Sequence, residues 1–158
     1  MKILILLALF FISTSGKSQS QITFLKLQKY LLTKSIDGSE EELKLLEYSF
    51  REIQTEPSGV SLVVYNKTNH KTRALDFIIF YKNPPNTSLP NIGFTTYEEE
   101  LFLDLKAQCA SINNMQKIPE QIIDNRLVRA YFDSHHQYQF SSYKLPDKNR
   151  VQYTIHLF

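Results

Sequence analysis

Two periodicities divide the chain. Phe24, Leu27 and Leu31 recur at helical spacing behind Thr23, a residue suited to capping, and predict a first helix ending near Lys34. Ile36-Asp37-Gly38 reads as a turn. Ser39-Glu40-Glu41-Glu42 is a capping-box pattern, and its acids suit the positive end of a helix. Leu43, Leu46 and Phe50 then predict a second helix reaching about Ser49. Four extended stretches follow. Residues 50–56 end at Pro57-Ser58-Gly59, and residues 60–66 set Val60, Leu62 and Val64 on one side. Residues 74–81 are apolar in part on both faces, which predicts a central strand. Residues 91–95 are short and are expected at an edge. Thr96-Tyr97-Glu98-Glu99 repeats the capping-box pattern, and Leu101, Phe102, Leu105 and Cys109 share one broad face of the helix it opens. Residues 125–133, 137–143 and 150–158 read as three further strands.

The last three strands can be registered from the pattern. With Pro146-Asp147-Lys148-Asn149 as the turn, Leu145 faces Arg150, Phe140 faces Ile155 and Tyr138 faces Leu157, so the large apolar residues meet on one side. A turn at Ser134-His135-His136 would add Val128, Ala130 and Phe132 to that inner side. The outer side would then carry Arg129, Tyr131, Gln139, Ser141, Tyr143, Gln152, Thr154 and His156. Tyr131, Gln139 and His156 are expected as one cross-strand row, and Arg129, Ser141 and Thr154 as the next. Tyr offers contact area at low entropic cost and Arg offers directed hydrogen bonds, a mixture suited to recognition. A solvated outer face carries polar residues by default, so the pattern marks a candidate surface and nothing finer.

The order helix-then-strands occurs twice, over about 39–95 and 96–158, with little identity between the halves. Two αββββ units predict an α+β class: a mostly antiparallel sheet with helices on one face.

The first residues have another purpose. Lys2 precedes an apolar run over residues 3–12, which is too short to span about 30 Å of hydrocarbon. Small residues follow, as a cleavable secretory signal requires. Cleavage before Gln19 or after Ser15 fits. Residues 19–158 are then expected as a single exported domain, periplasmic or extracellular, without a membrane-spanning segment. Losing Lys2 and Lys17 leaves equal numbers of basic and acidic residues, so the +2 of the whole chain belongs to the signal. A neutral domain without a basic run has no electrostatic reason to bind nucleic acid or anionic lipid.

Little reaction chemistry is written in the chain. Cys109 is the single cysteine, on a helix face expected to pack inward, where a thiol is inert. Adjacent His135 and His136 would point to opposite faces if extended and could not chelate one ion. No HExxH, CxxC, GxSxG or glycine-rich phosphate loop occurs, so no metal, cofactor or catalytic residue is expected. The acidic triplets at residues 40–42 and 98–100 are explained by helix capping. Asn66-Lys67-Thr68 and Asn86-Thr87-Ser88 are glycosylation sequons on expected loops, relevant in a eukaryotic host.

The Ser-Gly-Lys-Ser-Gln-Ser exit of the signal, with YSFREI, SLVVYN and the terminal VQYTIHLF, resembles small exported bacterial proteins of unassigned function. The tandem layout is similar to the fold of the β-lactamase inhibitor protein, through element order alone. That resemblance implies a binding or inhibitory role and transfers no site residue. The expectation is a non-enzymatic module that binds an unknown protein through the outer face of the C-terminal strands. The alternative is an envelope component that self-associates through the edge strand at residues 91–95.

Overall fold

A computed structural model describes residues 21–33, 39–82, 91–146 and 148–158. The signal segment, the turn at residues 36–38, the loop 83–90 with its sequon, and Asp147 lie outside the described residues. Helices α1 (Phe24–Thr33) and α2 (Glu40–Leu45) precede strands β1 (Ser49–Thr55), β2 (Ser61–Thr68), β3 (Leu75–Lys82) and β4 (Ile92–Thr96). Helix α3 (Glu99–Ala110) is followed by β5 (Gln116–Lys117), β6 (Gln121–Ile123), β7 (Arg126–Phe132), β8 (Gln137–Leu145) and β9 (Arg150–Leu157). The strands form one antiparallel sheet in the order β1-β2-β3-β4-β9-β8-β7-β5, with β6 also paired to β7. The class is α+β, dominated by the sheet.

All three helices lie against one face. Phe24 of α1 meets the rings of Tyr138 and Phe140, with centroids at 5.2 and 6.1 Å. Phe102 of α3 meets Phe140 and Tyr153 at 5.8 and 4.8 Å. Leu43 of α2 is fully buried, and Tyr65 of β2 donates its hydroxyl hydrogen to Glu40 at 2.9 Å. The strands answer with every second residue: Val63 and Tyr65, Ile78 and Phe80, Ile92 and Phe94, Tyr138 and Phe140, Tyr153 to Leu157. The core is therefore a slab between helices and sheet. The other face carries the intervening residues and, among the described residues, no helix.

Both helix starts differ from the capping-box expectation. Ser39 is the N-cap of α2 but makes no side-chain cap hydrogen bond, because its own backbone is already near helical, at φ −98° and ψ −18°. Helix α2 also stops four residues short of the expected end. Tyr48 N–H donates to the Leu43 carbonyl at 2.8 Å and Glu47 N–H to that of Lys44 at 2.9 Å, with Glu47 at φ 67°. This is a Schellman termination with Glu where Gly is usual, and it releases Ser49 to begin β1. At α3 the N-cap is Glu98; the Thr96 hydroxyl accepts from Glu98 N–H at 3.1 Å, turning the chain before the helix instead of capping it.

The expectation that residues 91–95 form an edge is overturned. Strand β4 pairs with β3 on one side and β9 on the other, and all five of its residues are buried. Its shortness reflects its place beneath the helices, where Ile92 and Phe94 fill the core. The pairing Phe94 to Ile155 joins the last strands of the two halves, so both halves share one sheet.

Candidate functional site

Strands β8 and β9 pair as the sequence predicts: Leu145 with Arg150, Phe140 with Ile155, Tyr138 with Leu157. Gln139, Ser141 and Tyr143 of β8 and Gln152, Thr154 and His156 of β9 therefore stand together on the helix-free face. Their cross-strand partnerships are Gln139 with His156, Ser141 with Thr154 and Tyr143 with Gln152.

Strand β7 lies one residue from its expected register. Tyr131 pairs with Tyr138 and Arg129 with Phe140, which puts both on the helix side. Tyr131 is 2% exposed and packs edge-on to Phe140 at 5.5 Å; the Arg129 guanidinium reaches Glu120 at 3.3 Å. Val128, Ala130 and Phe132, expected inside, occupy the open face instead. The rows are Ala130-Gln139-His156 and Val128-Ser141-Thr154. The cause is Asp133. Its carboxylate accepts from His135 N–H at 2.8 Å, His136 N–H at 2.7 Å and the Tyr138 hydroxyl at 2.6 Å. That anchoring takes Asp133 into the loop, making the connection four residues long, and one extra loop residue moves every side chain of β7 to the other face.

Beside these rows the open face holds a cleft of about 470 Å3. Arg126, Val128, Gln139, Ser141, Tyr143 and His156 line it, with Ile123 and Asp124 at its rim. The rim is a tight hairpin. Ile123 pairs with Arg126, and the two turn residues Asp124 and Asn125 take φ 48° and 60°, the left-handed pair a type I′ turn demands. That turn carries Arg126 onto the open face, where its guanidinium carbon lies 5.6 Å from the centre of the Tyr143 ring. The Ala130-Gln139-His156 row continues to Gly93 of β4 and is notched there: a Cβ would meet His156 Cδ2 at 3.4 Å and Tyr81 Cε2 at 3.5 Å, so the two rings flank a bare stretch of backbone. Burial, with Arg126 adding to it, pushes the His156 imidazole down to about 4, and the ring is uncharged at neutral pH.

A second polar group lies at the other end of the sheet, on the helix side. Asp76 sits in an otherwise apolar strand, in phase with Ile78 and Phe80, and is fully buried. The Asn69 amide donates to Asp76 Oδ2 at 2.9 Å and to Glu98 Oε2 at 2.8 Å, and Lys71 Nζ meets Glu98 at 2.6 Å. Asp76 Oδ1 has no hydrogen-bond partner among the described residues. Burial raises the Asp76 carboxyl above its ordinary range despite the Asn69 contact. At Glu98 burial acts in the same direction, but the hydrogen bonds from Lys71 and Asn69 outweigh it and the carboxyl is lowered. Capping therefore does not account for Glu98. The sequence does carry the signal for Asp76, an acid on the inward phase of a central strand.

Cys109 is buried against the core, with its thiol pushed up to about 12 by burial and by Asp133. No helix among the described residues is long and apolar enough to cross a membrane. Comparison with protein-family models, curated proteins and solved structures gives no match to this chain.

Proposed function

We propose that the chain is an exported, non-enzymatic binding module that recognises another protein through the helix-free face of its sheet. The observation that carries this reading is the convergence of Gln139, Ser141, Tyr143, Gln152, Thr154 and His156 on that face, beside a cleft, while the helices cover only the opposite face. Side chains on a wide sheet are positioned by its backbone ladder, so such a face presents its groups at little cost in conformational entropy. The state of Cys109 fits a module without a thiol nucleophile: a buried thiol with a raised pKa is unreactive. The signal pattern over residues 1–18 supports export to the periplasm or beyond it. The test is affinity capture from envelope and medium extracts, with N-terminal sequencing of the exported chain. One partner recovered at near-equal amount by the wild type, and lost on Tyr143→Ala and Gln139→Ala, is the expected result. Retention by both variants would remove the open face from the reading.

Self-association is the second reading, now through β1. That strand ends the sheet, and Phe50 and Ile53 on its helix side are 55% and 61% exposed, more than an edge strand facing only water favours. Concentration-dependent sedimentation tests it, and a strict monomer counts against it.

A further inference from the structure

The open-face cleft holds a cation, Arg126, that has no direct ion pair among the described residues. Its guanidinium carbon lies 5.6 Å from the centre of the Tyr143 ring, and it shares the cleft lining with His156 and Asp124. The contrast is Arg129, three positions along β7, which points to the helix side and meets Glu120. Gln139 and Ser141 bring an amide and a hydroxyl to the cleft floor, and Ile123 and Val128 give it apolar walls. We infer that this cleft binds a carboxylate carried on an apolar stem, with Arg126 as counter-ion and the Gln139 amide as a neighbouring donor, the Ser141 hydroxyl being turned to the Thr154 carbonyl at 3.5 Å. The inference rests on the open-face reading and names what that face recognises.

Three features favour this ligand over other anions. The guanidinium is planar, and its fork of N–H groups matches the two oxygens of a carboxylate, with the Tyr143 ring 5.6 Å away as its neighbour. The cleft volume falls in the range of pockets that hold small molecules or single inserted side chains. Asp124 on the rim is the one acid of the cleft lining and Arg126 the one cation, so the lining carries no surplus of positive charge and a multiply charged phosphate is disfavoured.

His156 reports on occupancy. Around it lie Gln139, its cross-strand partner on β8, the Phe158 ring at 6.3 Å and Tyr81 of β3 across Gly93, and it shares the cleft lining with the titratable and charged groups Arg126, Tyr143 and Asp124. Arg126 disfavours the charged imidazole, and an anion on Arg126 offsets that effect. A bound anion therefore favours the charged imidazole relative to the free cleft.

The experiment is an NMR titration of the purified chain, observing the His156 imidazole, with benzoate as the probe and benzamide as its uncharged counterpart. At pH 7, where benzoate is fully ionised, benzoate is expected to give saturable shifts at His156, while benzamide gives none. Arg126→Gln is expected to weaken benzoate at least tenfold; Arg129→Gln, on the other face, should leave it unchanged. Arg126 is exposed, so its replacement leaves the core intact. N-acetylglutamate amide separates the two sources of the same chemistry. Binding as tight as that of benzoate supports an acidic side chain of a partner protein, and binding of benzoate alone supports a free aromatic acid. Equal response to benzamide, an undiminished response in Arg126→Gln, or no saturable shift would overturn the inference. If it fails while capture still depends on Tyr143 and Gln139, the open-face reading survives without the carboxylate. If benzoate binds but capture fails, the protein partner is what falls.

Discussion

Tyr138 donates its hydroxyl hydrogen to Asp133 Oδ2 at 2.6 Å, and that bond helps to decide which face of the sheet each residue of β7 presents. The same carboxylate accepts two backbone N–H groups, from His135 and His136, so three donors converge on one side chain. Asp133→Ala removes the acceptor of all three donors at once and is expected to cost about 2 kcal/mol, with Asp133→Asn costing less. Urea unfolding of the two variants measures this.

Asp133 also gives stability a pH dependence of known sign. Burial acts to raise its pKa, but the Tyr138 hydroxyl and the two N–H groups outweigh it, and the carboxyl titrates below the ordinary aspartate value. The stabilisation is complete above about 3.9, the unfolded value, and is lost as pH falls through the lower folded one. As pH falls below about 4, the wild type should lose stability more steeply than Asp133→Asn, and parallel urea midpoints there would contradict the assignment.

Tyr131 belongs to the core. Tyr131→Ala is expected to destabilise by about 3 to 5 kcal/mol, as truncation of a buried aromatic does, while Tyr131→Phe should be within about 1 kcal/mol of wild type. Thermal melts distinguish this from a surface role, in which both substitutions would leave stability unchanged.

The fate of Tyr131 marks where the sequence was legible. The β8–β9 register followed from Val151, Tyr153, Ile155 and Leu157, because a strand with one greasy face can pair in one way only. The helix faces of Phe24, Leu27 and Leu31, and of Leu101, Leu105 and Cys109, were equally plain, since period 3.6 survives any change of neighbour. Strand β7 was ambiguous in itself: Leu127, Arg129 and Tyr131 on one phase and Val128, Ala130 and Phe132 on the other are both mixtures. The loop had to choose, through an Asp whose role depends on a tyrosine five residues on. The placement of β4 was hidden for a different reason. A short strand reads as an edge from its length, whereas its partners come from both halves of the chain. The cleft depends on the β6–β7 hairpin, whose turn uses Asp124-Asn125 where a glycine would have announced it.

Asp76 is expected to diminish stability at neutral pH. Its carboxyl is raised by burial, so the folded state favours the protonated form, and ionisation of the unfolded chain above about 3.9 costs stability as pH rises. Asp76→Asn keeps an oxygen for the Asn69 amide and removes the buried charge. It should raise the urea midpoint at pH 7, by on the order of 1 kcal/mol, and the gain should shrink toward pH 4. A gain that grows in acid would contradict the buried-charge account.

Cys109 should resist thiol reagents in the native chain. With the thiol buried and pushed up to about 12, almost no thiolate exists at pH 8. Labelling by Ellman's reagent should proceed only on unfolding, and its rate should follow urea concentration. Rapid native labelling would return a reactive cysteine to consideration.

The central claim is that one face of the sheet is covered and the other, carrying Tyr143 and not Tyr131, meets the partner. Tyrosine nitration with tetranitromethane, mapped by mass spectrometry with and without captured partner, tests it in the unsubstituted chain. Tyr143 should be nitrated in the free protein and protected in the complex, with Tyr131 and Tyr138 unmodified in both. Nitration of native Tyr131, or a Tyr143 equally reactive with the partner bound, would contradict the account.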